Sequence, residues 1–307
     1  MHILITGAWV KGKEYIPVLE QRGHRVTFLQ QEKDTLLCPY DSIEAVIGNG
    51  IFLYHSIEKF TNLKYIQLTS AGYDRVPVEY IRQHHIALYN AKGVYSIPMA
   101  EFAISGVLQL YKQSKFFYRN QEKHIWEKNR NLQELHRKAV CIVGCGSVGT
   151  ACAQLFKAFG CMVIGVNRTV YENPYFSQIE GMDCLSHNLA RADIVVLTLP
   201  KTKETIHLFD ASAFASMKSE SILVNIARGA IVDTPALIYS LKNKLLGAVI
   251  DVFEEEPLDL MSELWELKNA ILTPHNSFIG DGNNQRLAEL ILKNMEQWEH
   301  ENNGSFS

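Results

Sequence analysis

The feature that most constrains the fold is a regular alternation of short apolar runs with longer stretches of helical spacing. Before residue 70 the apolar runs read HILIT, HRVTFL, EAVIG and LKYIQLT. After residue 137 they read AVCIVG, CMVIGV, DIVVLTLP, SILVNI, GAVIDVF and AILTPH. Strands that are apolar along their whole length are typical of parallel sheets buried on both faces. Because such strands alternate here with helices, the pattern predicts an α/β protein built on parallel sheets.

The strands fall into two groups, which predicts two domains. The first group ends near Ala91, and the second begins at residues 137–138. Between them, the apolar residues from Met99 to Tyr118 have helical spacing and predict one long connecting helix. The tail from Arg286 to Trp298 has similar spacing, and we expect it to cross back to the first domain. A chain of 307 residues is long enough for two domains of ordinary size.

Charge and cysteine usage argue against several classes of protein. The formal net charge of -3 argues against a protein that binds nucleic acid or a membrane surface, because such proteins normally carry a basic face. The six cysteines contain no CxxC pair, which favours reduced thiols in the cytoplasm over a disulfide framework or a metal site. The opening MHILITG lacks the features of a signal peptide. Residues 139–156 carry no charge, but their glycines suit a strand, a turn and a helix start, so we expect no transmembrane segment.

The strongest local motif is Gly144-Cys-Gly-Ser-Val-Gly149. It follows an apolar strand and opens a helix that leads to another strand, which is the context that dinucleotide binding requires. Gly144 would permit the tight turn, Gly146 the approach of a pyrophosphate to the backbone, and Gly149 close helix–strand packing. The positive end of the helix would then hold the phosphates. The alternative is a tight turn without a ligand. At this helix end we also expect a lowered pKa for the Cys145 thiol, which would make it a site of alkylation.

The segment that follows the next strand bears on the choice of cofactor. An NAD site would place Asp or Glu there against the ribose 2′-hydroxyl, but the chain has Asn167-Arg168-Thr169. Without a carboxylate to repel it, a 2′-phosphate can accept hydrogen bonds from this segment, and Lys201 and Lys203 add positive charge. We therefore predict that NADP(H) is preferred and that NAD(H) remains possible. The alternative is a solvated arginine beside an NAD site.

Two further patterns are similar to short-chain dehydrogenases. Thr6-Gly7-Ala8 matches the start of their glycine motif, and Tyr111 and Lys115 have the spacing of their YxxxK pair. The first pattern lacks the further glycines, and Tyr111 precedes the phosphate loop instead of following it. We interpret both as coincidental.

Three residues that suit acid–base chemistry follow predicted strands: Arg228, Glu256 and His275. Ligands of open α/β sheets bind outside the carboxyl ends of the strands. Taken singly, the three could be a surface arginine, part of a solvated acidic run and a turn residue. Together they suit hydride transfer to a 2-keto acid. A guanidinium fork matches a planar carboxylate, and histidine can protonate the oxygen that gains charge as the hydride arrives.

The chain as a whole resembles the D-isomer-specific 2-hydroxyacid dehydrogenase family, in particular its glyoxylate and hydroxypyruvate reductases. The likeness runs through most of the chain and implies a flavodoxin-like substrate domain from residues 1–96 and 280–307. Residues 97–279 would form an inserted Rossmann domain, a doubly wound parallel sheet. Six motifs carry the resemblance: TSAGYD (69–74), GCGSVG (144–149), ARADIVVLTLPKTKET (190–205), VNIARGAIVD (224–233), DVFEEEP (251–257) and TPH (273–275).

The resemblance also implies roles for single residues. Arg228 would bind the substrate carboxylate and keto oxygen, and His275 would be the general acid/base with Glu256 as its partner. The backbone amides of Ala71 and Gly72 would hold the other side of the carboxylate.

For the cofactor, the resemblance implies that Asp251 contacts the nicotinamide carboxamide. The full implied cofactor-binding set is Gly144, Gly146, Ser147, Val148, Gly149, Asn167, Arg168, Thr169, Leu199, Pro200, Ile226, Ala227, Asp251 and His275.

Departures from related families narrow the expected substrate. Glu256 stands where formate dehydrogenases have glutamine, and Ser70 stands where a lysine would mark a phosphite dehydrogenase. Residues 48–55 offer no arginine for a phosphorylated substrate. We therefore expect a small uncharged side chain, as in glyoxylate, hydroxypyruvate, pyruvate or a modest alkyl keto acid. The candidate pocket residues are Trp9, Phe52, Tyr54 and Tyr73.

Two other functions remain open. A dinucleotide-sensing regulator similar to the corepressors of this fold can keep all three catalytic residues, although the chain lacks a long disordered tail for docking a partner. An amino-acid dehydrogenase is the second alternative. The resemblance further implies a homodimer formed through the cofactor domain, with Phe116 to Trp126 as a candidate contact.

Overall fold

The computed structural model describes residues 1–303, and the chain divides into two compact units. The first unit comprises Met1–Tyr95 and the chain from Gly280 onward, and the second comprises Ser96–Ile279. Each unit is built on one sheet whose strand pairs are all parallel. The predicted α/β class with two parallel sheets is therefore confirmed.

The first unit has a five-stranded sheet in the order β2-β1-β3-β4-β5, which is the flavodoxin-like order. The C-terminal helix α9 packs Leu287, Ile291 and Met295 into the same core as Ile3 and Ile5 of β1. The strand β5 was missed by sequence analysis because it is short and only partly buried. The strands are β1 (His2–Thr6), β2 (Arg25–Leu29), β3 (Ala45–Gly48), β4 (Tyr65–Leu68) and β5 (Ala87–Tyr89), and the helices are α1 (Gly12–Gln21), α2 (Val78–Gln83) and α9 (Asn283–Asn303).

The second unit has a seven-stranded sheet in the order β12-β11-β10-β9-β6-β7-β8, the Rossmann order extended by one strand. Its strands are β6 (Ala139–Val143), β7 (Met162–Val166), β8 (Gln178–Glu180), β9 (Ile194–Leu197), β10 (Ile222–Asn225), β11 (Gly247–Ile250) and β12 (Ala270–Leu272). Its helices are α3 (Ser96–Tyr111), α4 (Ser114–Glu122), α5 (Ser147–Ala158), α6 (Leu185–Leu189), α7 (Ala211–Ser216) and α8 (Thr234–Asn243). The short strand β8 was not predicted.

The prediction of one helix from Met99 to Tyr118 is wrong, because the chain breaks between α3 and α4. Gln113 lies in the left-handed region with a φ of 54°, which an α-helix does not accommodate. Tyr111 and Lys115, the two residues of the YxxxK spacing, both have structural roles. Tyr111 is buried, and Lys115 Nζ donates to the carbonyl oxygen of Ala270 at 2.5 Å.

The uncharged segment 139–156 forms β6, the glycine turn and most of α5. Across residues 1–303, no helix combines the length and apolar character needed to cross a membrane.

Candidate active site

The glycine loop joins β6 to α5 at the carboxyl edge of the second sheet. Gly144 has a φ of 98°, and a Cβ on Gly149 would lie 2.1 Å from the Gly144 carbonyl oxygen, so the turn requires glycine at both positions. A Cβ on Gly146 would meet nothing within 4 Å, and no side chain caps the N-terminus of α5. The amides of the first helical turn, which include those of Ser147 and Val148, are thus available to an anion. The loop therefore fits the pyrophosphate of a dinucleotide.

The expectation of a reactive thiol at Cys145 is wrong. Its side chain is buried, and a Cβ on Gly165 of β7 would lie 2.5 Å from its Sγ, so the thiol packs into the sheet. Burial raises the pKa of Cys145 to about 12. The helix end acts on the backbone of the loop, whereas the thiol points away from it into apolar surroundings.

The Asn167 side chain ties the glycine loop to the segment that follows β7. Its Oδ1 accepts a hydrogen bond from the Cys145 amide at 3.2 Å, and its Nδ2 donates to the Thr169 carbonyl oxygen at 2.8 Å. Sequence analysis missed Tyr171, whose hydroxyl donates to the Cys145 carbonyl oxygen. This tyrosine could not be recognised in advance, because it lies in an irregular segment four residues beyond Asn167.

Arg168 is exposed, and its charge interacts with the carboxylate of Glu204, which sequence analysis did not consider. A hydrogen bond from Thr202 and, to a smaller extent, the charge of Arg168 hold the pKa of Glu204 below its usual value. The positive charge expected around the 167–169 segment is therefore partly offset.

His275 and Glu256 are hydrogen-bonded to each other, and their acid–base role stays a prediction. His275 Nδ1 donates to Glu256 Oε2 at 2.8 Å, and Glu256 Oε1 accepts a hydrogen bond from the Phe253 amide at 3.0 Å. The two side chains are 41% and 37% exposed, so the pair is open to a ligand. Because Nδ1 is engaged by the carboxylate, Nε2 is the ring nitrogen that remains for a ligand.

Asp251 holds the turn that carries His275. It is fully buried, and its carboxylate accepts hydrogen bonds from the Thr273 hydroxyl at 2.6 Å and from the amides of Asn276 and Ser277 at 2.8 and 2.9 Å. Its carbonyl oxygen accepts a further bond from the His275 amide at 2.8 Å. These bonds stabilise the φ of 51° at His275, a conformation that a non-glycine residue rarely adopts. Sequence analysis missed this role, and the contact of Asp251 with a nicotinamide stays a prediction.

Arg228 follows β10 in a turn organised by the buried Asn225. Asn225 Oδ1 accepts from the Ala227 amide at 3.1 Å, and its Nδ2 donates to the Arg228 carbonyl oxygen at 3.3 Å. A Cβ on Gly229 would lie 1.8 Å from the carbonyl carbon of Phe253, so the Arg228 turn lies directly against the segment that leads to Glu256. The neighbouring strands β10, β11 and β12 thus deliver all three predicted catalytic residues to one edge of the sheet.

The other predicted cofactor residues lie on neighbouring strand ends. Leu199 and Pro200 follow β9, and a Cβ on Gly144 would lie 2.9 Å from the Leu199 amide nitrogen. Ile226 and Ala227 are buried directly after β10.

Ala71 and Gly72 belong to the first unit, in the loop that follows β4. The Ala71 carbonyl oxygen accepts a hydrogen bond from Asn90 Nδ2 at 2.6 Å, and the Gly72 carbonyl oxygen accepts one from Ser70 Oγ at 3.1 Å. Their predicted role toward a substrate carboxylate stays a prediction.

One predicted pocket residue is misplaced. Trp9 is 0% exposed and stacks on Tyr15 in the core of the first unit, so it does not line a pocket. Phe52 packs edge-on against Phe60, and Tyr54 and Tyr73 are exposed.

Sequence analysis also missed Glu32, which anchors the loop after β3. Its Oε1 accepts from the Asn49 amide at 2.6 Å and the Thr6 hydroxyl at 2.9 Å, and its Oε2 accepts from the Gly50 amide at 2.7 Å. The loop lies at the carboxyl ends of β1 and β3, the switch point of this sheet. Residues 48–55 contain no arginine, but the fold places Arg75 beside them. A Cβ on Gly50 would lie 3.4 Å from Arg75 Cδ.

Comparisons with known proteins agree with this geometry. The family model for the NAD binding domain of D-isomer specific 2-hydroxyacid dehydrogenases matches residues 104–277. A D-lactate dehydrogenase from Staphylococcus epidermidis is 30% identical over 253 residues, covering 77% of this chain and 76% of that protein. A glyoxylate reductase from Thermofilum pendens is 30% identical over 283 residues, covering 86% and 78%.

Among solved structures, a D-isomer specific 2-hydroxyacid dehydrogenase family protein from Aeromonas salmonicida is 28% identical. It superimposes with a TM-score of 0.82 over 97% of this chain and 94% of that one. The family model alone spans more than half of the chain, and it covers the glycine loop, Arg228, Glu256 and His275. The chain therefore belongs to the D-isomer-specific 2-hydroxyacid dehydrogenase family, and it is an oxidoreductase that acts on CH–OH groups with a nicotinamide dinucleotide.

Proposed function

We propose that this chain reduces a small 2-keto acid to the corresponding 2-hydroxy acid with NADPH as the preferred hydride donor. The observation that carries the proposal is the 2.8 Å hydrogen bond between His275 Nδ1 and Glu256 Oε2. These residues follow β12 and β11, and Arg228 follows the neighbouring strand β10. A bound nicotinamide supplies the hydride to C2 of the substrate. The Arg228 guanidinium holds the substrate carboxylate, and the His275 imidazolium gives a proton to the C2 oxygen as charge develops there. Glu256 orients the ring and stabilises its protonated form.

Glu32 supports a substrate with an uncharged side chain. Its carboxylate already occupies the amides of Asn49 and Gly50, in the loop next to the one that holds Ala71 and Gly72. A second acidic group on the substrate would find these donors taken and a fixed negative charge beside them. Arg75 flanks the same loop and offsets part of that charge, so the discrimination is expected to be one of degree.

The exposed Arg168, the Asn167–Thr169 segment and the nearby lysines support NADPH over NADH, with Glu204 as the opposing charge. We carry forward the nicotinamide contact of Asp251 and the carboxylate contacts of Ala71 and Gly72. On this view residues 97–279 form the cofactor domain, and residues 1–96 and 280–307 form the substrate domain. We also propose a cytoplasmic location, which the six free cysteines support.

The direct test is absorbance at 340 nm with NADPH or NADH and a panel of keto acids. We expect turnover of glyoxylate, hydroxypyruvate or pyruvate, faster with NADPH, and markedly slower turnover of the dicarboxylic oxaloacetate. Cofactor binding without turnover of any acid would favour the regulatory alternative, and turnover that depends on ammonia would favour an amino-acid dehydrogenase. Either result would overturn the proposal.

A further inference from the structure

The three consecutive glutamates at 254–256 have three different surroundings. Glu256 pairs with His275, whereas the exposed Glu255 has no hydrogen bond or ion pair within the described part of the chain. Glu254 is held on both of its oxygens. Its Oε1 accepts from His207 Nε2 at 2.5 Å, and its Oε2 accepts from the Thr234 amide at 3.0 Å and from the Thr234 hydroxyl.

The two partners of Glu254 belong to chain segments that are bonded to the turn after Arg228. The His207 amide donates to the Ala230 carbonyl oxygen at 2.8 Å, and Thr234 begins α8 directly after that turn. Glu254 therefore binds two segments, at His207 and at Thr234, that flank the turn after Arg228. Its three hydrogen bonds to these residues form a clasp around that turn.

The backbone of Phe253 connects these bonds of Glu254 to both catalytic groups, through the two peptide groups that meet at this residue. On one side, a Cβ on Gly229 would lie 1.8 Å from the Phe253 carbonyl carbon and 2.4 Å from the Glu254 nitrogen. On the other side, the Phe253 amide, in the preceding peptide, donates to Glu256 Oε1 at 3.0 Å. A shift of the Phe253 backbone would therefore affect both Glu256 and the turn that carries Arg228.

We propose that Glu254 is a positioning residue: it fixes the backbone at Phe253 and Glu254 and thereby sets the Arg228 turn and the Glu256–His275 pair relative to each other. The inference rests on the proposed function, because it gives Glu254 a part in the same reaction. Although burial alone would raise the pKa of Glu254, hydrogen bonds from Thr234 and His207 bring it below its usual value. The carboxylate is accordingly ionised at neutral pH, as its three donors require.

The acidic run supplies its own matched control, since Glu254→Gln and Glu255→Gln remove the same charge from adjacent positions. We expect Glu254→Gln to lower kcat by about 10- to 100-fold, because small misplacements of catalytic groups cost rates of this order. Glu255→Gln should stay within about twofold of the parent, as expected for an exposed residue away from the reacting groups. Equal kcat values for the two variants would overturn the proposal. If Glu254→Gln does not fold, His207→Gln, which removes one donor of the clasp, takes its place in the same comparison.

A double-mutant cycle separates positioning from general support of the fold. If Glu254 acts through Glu256, the effect of Glu254→Gln on kcat should largely disappear in a Glu256→Gln background. Purely multiplicative losses in kcat would contradict the proposal.

Hydrogen exchange gives a readout that needs no activity. Exchange in residues 229–236 should be faster in Glu254→Gln than in Glu255→Gln, and equal rates would count against the clasp. If the parent chain reduces no keto acid but the two variants still differ in hydrogen exchange, the proposed function is wrong and the structural role of Glu254 is supported.

Discussion

Gly146 and Gly229 show how the same residue type serves different ends in this molecule. A Cβ at Gly229 would overlap the Phe253–Glu254 peptide, whereas a Cβ at Gly146 would meet open space. Gly229 is therefore required by packing within the chain. Gly146 is required only if a ligand approaches the backbone there, as a pyrophosphate would.

Gly146→Ala should therefore leave the fold nearly unchanged and weaken the binding of NADPH. We expect a thermal midpoint close to that of the parent and at least a tenfold rise in the Kd for NADPH, measured by fluorescence titration. Gly229→Ala is the matched comparison and should lower the free energy of unfolding by about 1–3 kcal/mol or more, because backbone must move. Unchanged NADPH affinity in Gly146→Ala would contradict the assignment of the loop.

Arg168 is the residue that most directly tests the cofactor preference. A charge-assisted hydrogen bond contributes about 1.5–3 kcal/mol, so Arg168→Gln should reduce the NADPH/NADH ratio of kcat/KM by about 10- to 100-fold. The control is Arg137→Gln, at an exposed arginine two residues before β6, at the opposite end of that strand from the glycine loop. Equal kcat/KM values for the two cofactors in the parent chain would refute the preference itself.

At the scale of helices and strands, long apolar strands and the glycine turn were predictable because burial and backbone geometry leave a local pattern. The break at Gln113 left no such pattern, since the apolar spacing continues across it. Strands β5 and β8 were missed for a related reason: each has three residues and depends on pairing with a neighbour rather than on its own sequence.

The contacts of Asp193 predict that the second sheet is sensitive to acid. Its carboxylate accepts from Lys218 Nζ at 2.6 Å and from the Ala139 amide at 2.8 Å, which joins the start of β9 to the start of β6. Burial alone would raise the pKa of Asp193, but these bonds outweigh it and leave the pKa below the usual 3.8.

Because the folded-state pKa is lowered, Asp193 stabilises the fold fully at pH values above 3.8 and loses this contribution as pH falls through the folded-state pKa. Asp193→Asn should lower the free energy of unfolding at pH 7 and flatten its decline in acid, as followed by urea denaturation at several pH values. A variant with the same acid dependence as the parent would contradict this account.

For the whole molecule, the order of six motifs was sufficient to predict the family, and the grouping of apolar strands was sufficient to predict the two parallel sheets. The supporting hydrogen bonds of Asp251, Glu254 and Glu32 were not predictable, because their partners are distant in sequence and only the fold brings them together. Trp9 shows the converse: as an aromatic residue it was a candidate for the substrate pocket, but it packs into the core of the first unit.

Trp126 tests the homodimer that the family resemblance implies. It is 97% exposed and lies in the Phe116–Trp126 segment that we expect to form the contact. Large exposed apolar side chains of this kind are typical of interfaces. Trp126→Ser should shift sedimentation equilibrium toward the monomer, whereas Tyr239→Ser, at an exposed aromatic on α8, should not. A parent chain that sediments as a monomer at micromolar concentration would refute the dimer.

The most direct test of the central claim is kcat for glyoxylate reduction by His275→Ala, with the Kd for NADPH measured alongside. Loss of the proton donor should lower kcat by about 10²- to 10⁴-fold, while the Kd for NADPH should change far less, because the glycine loop that would hold the pyrophosphate is unaltered. A variant that binds NADPH normally and reduces glyoxylate at the parent rate would contradict the account.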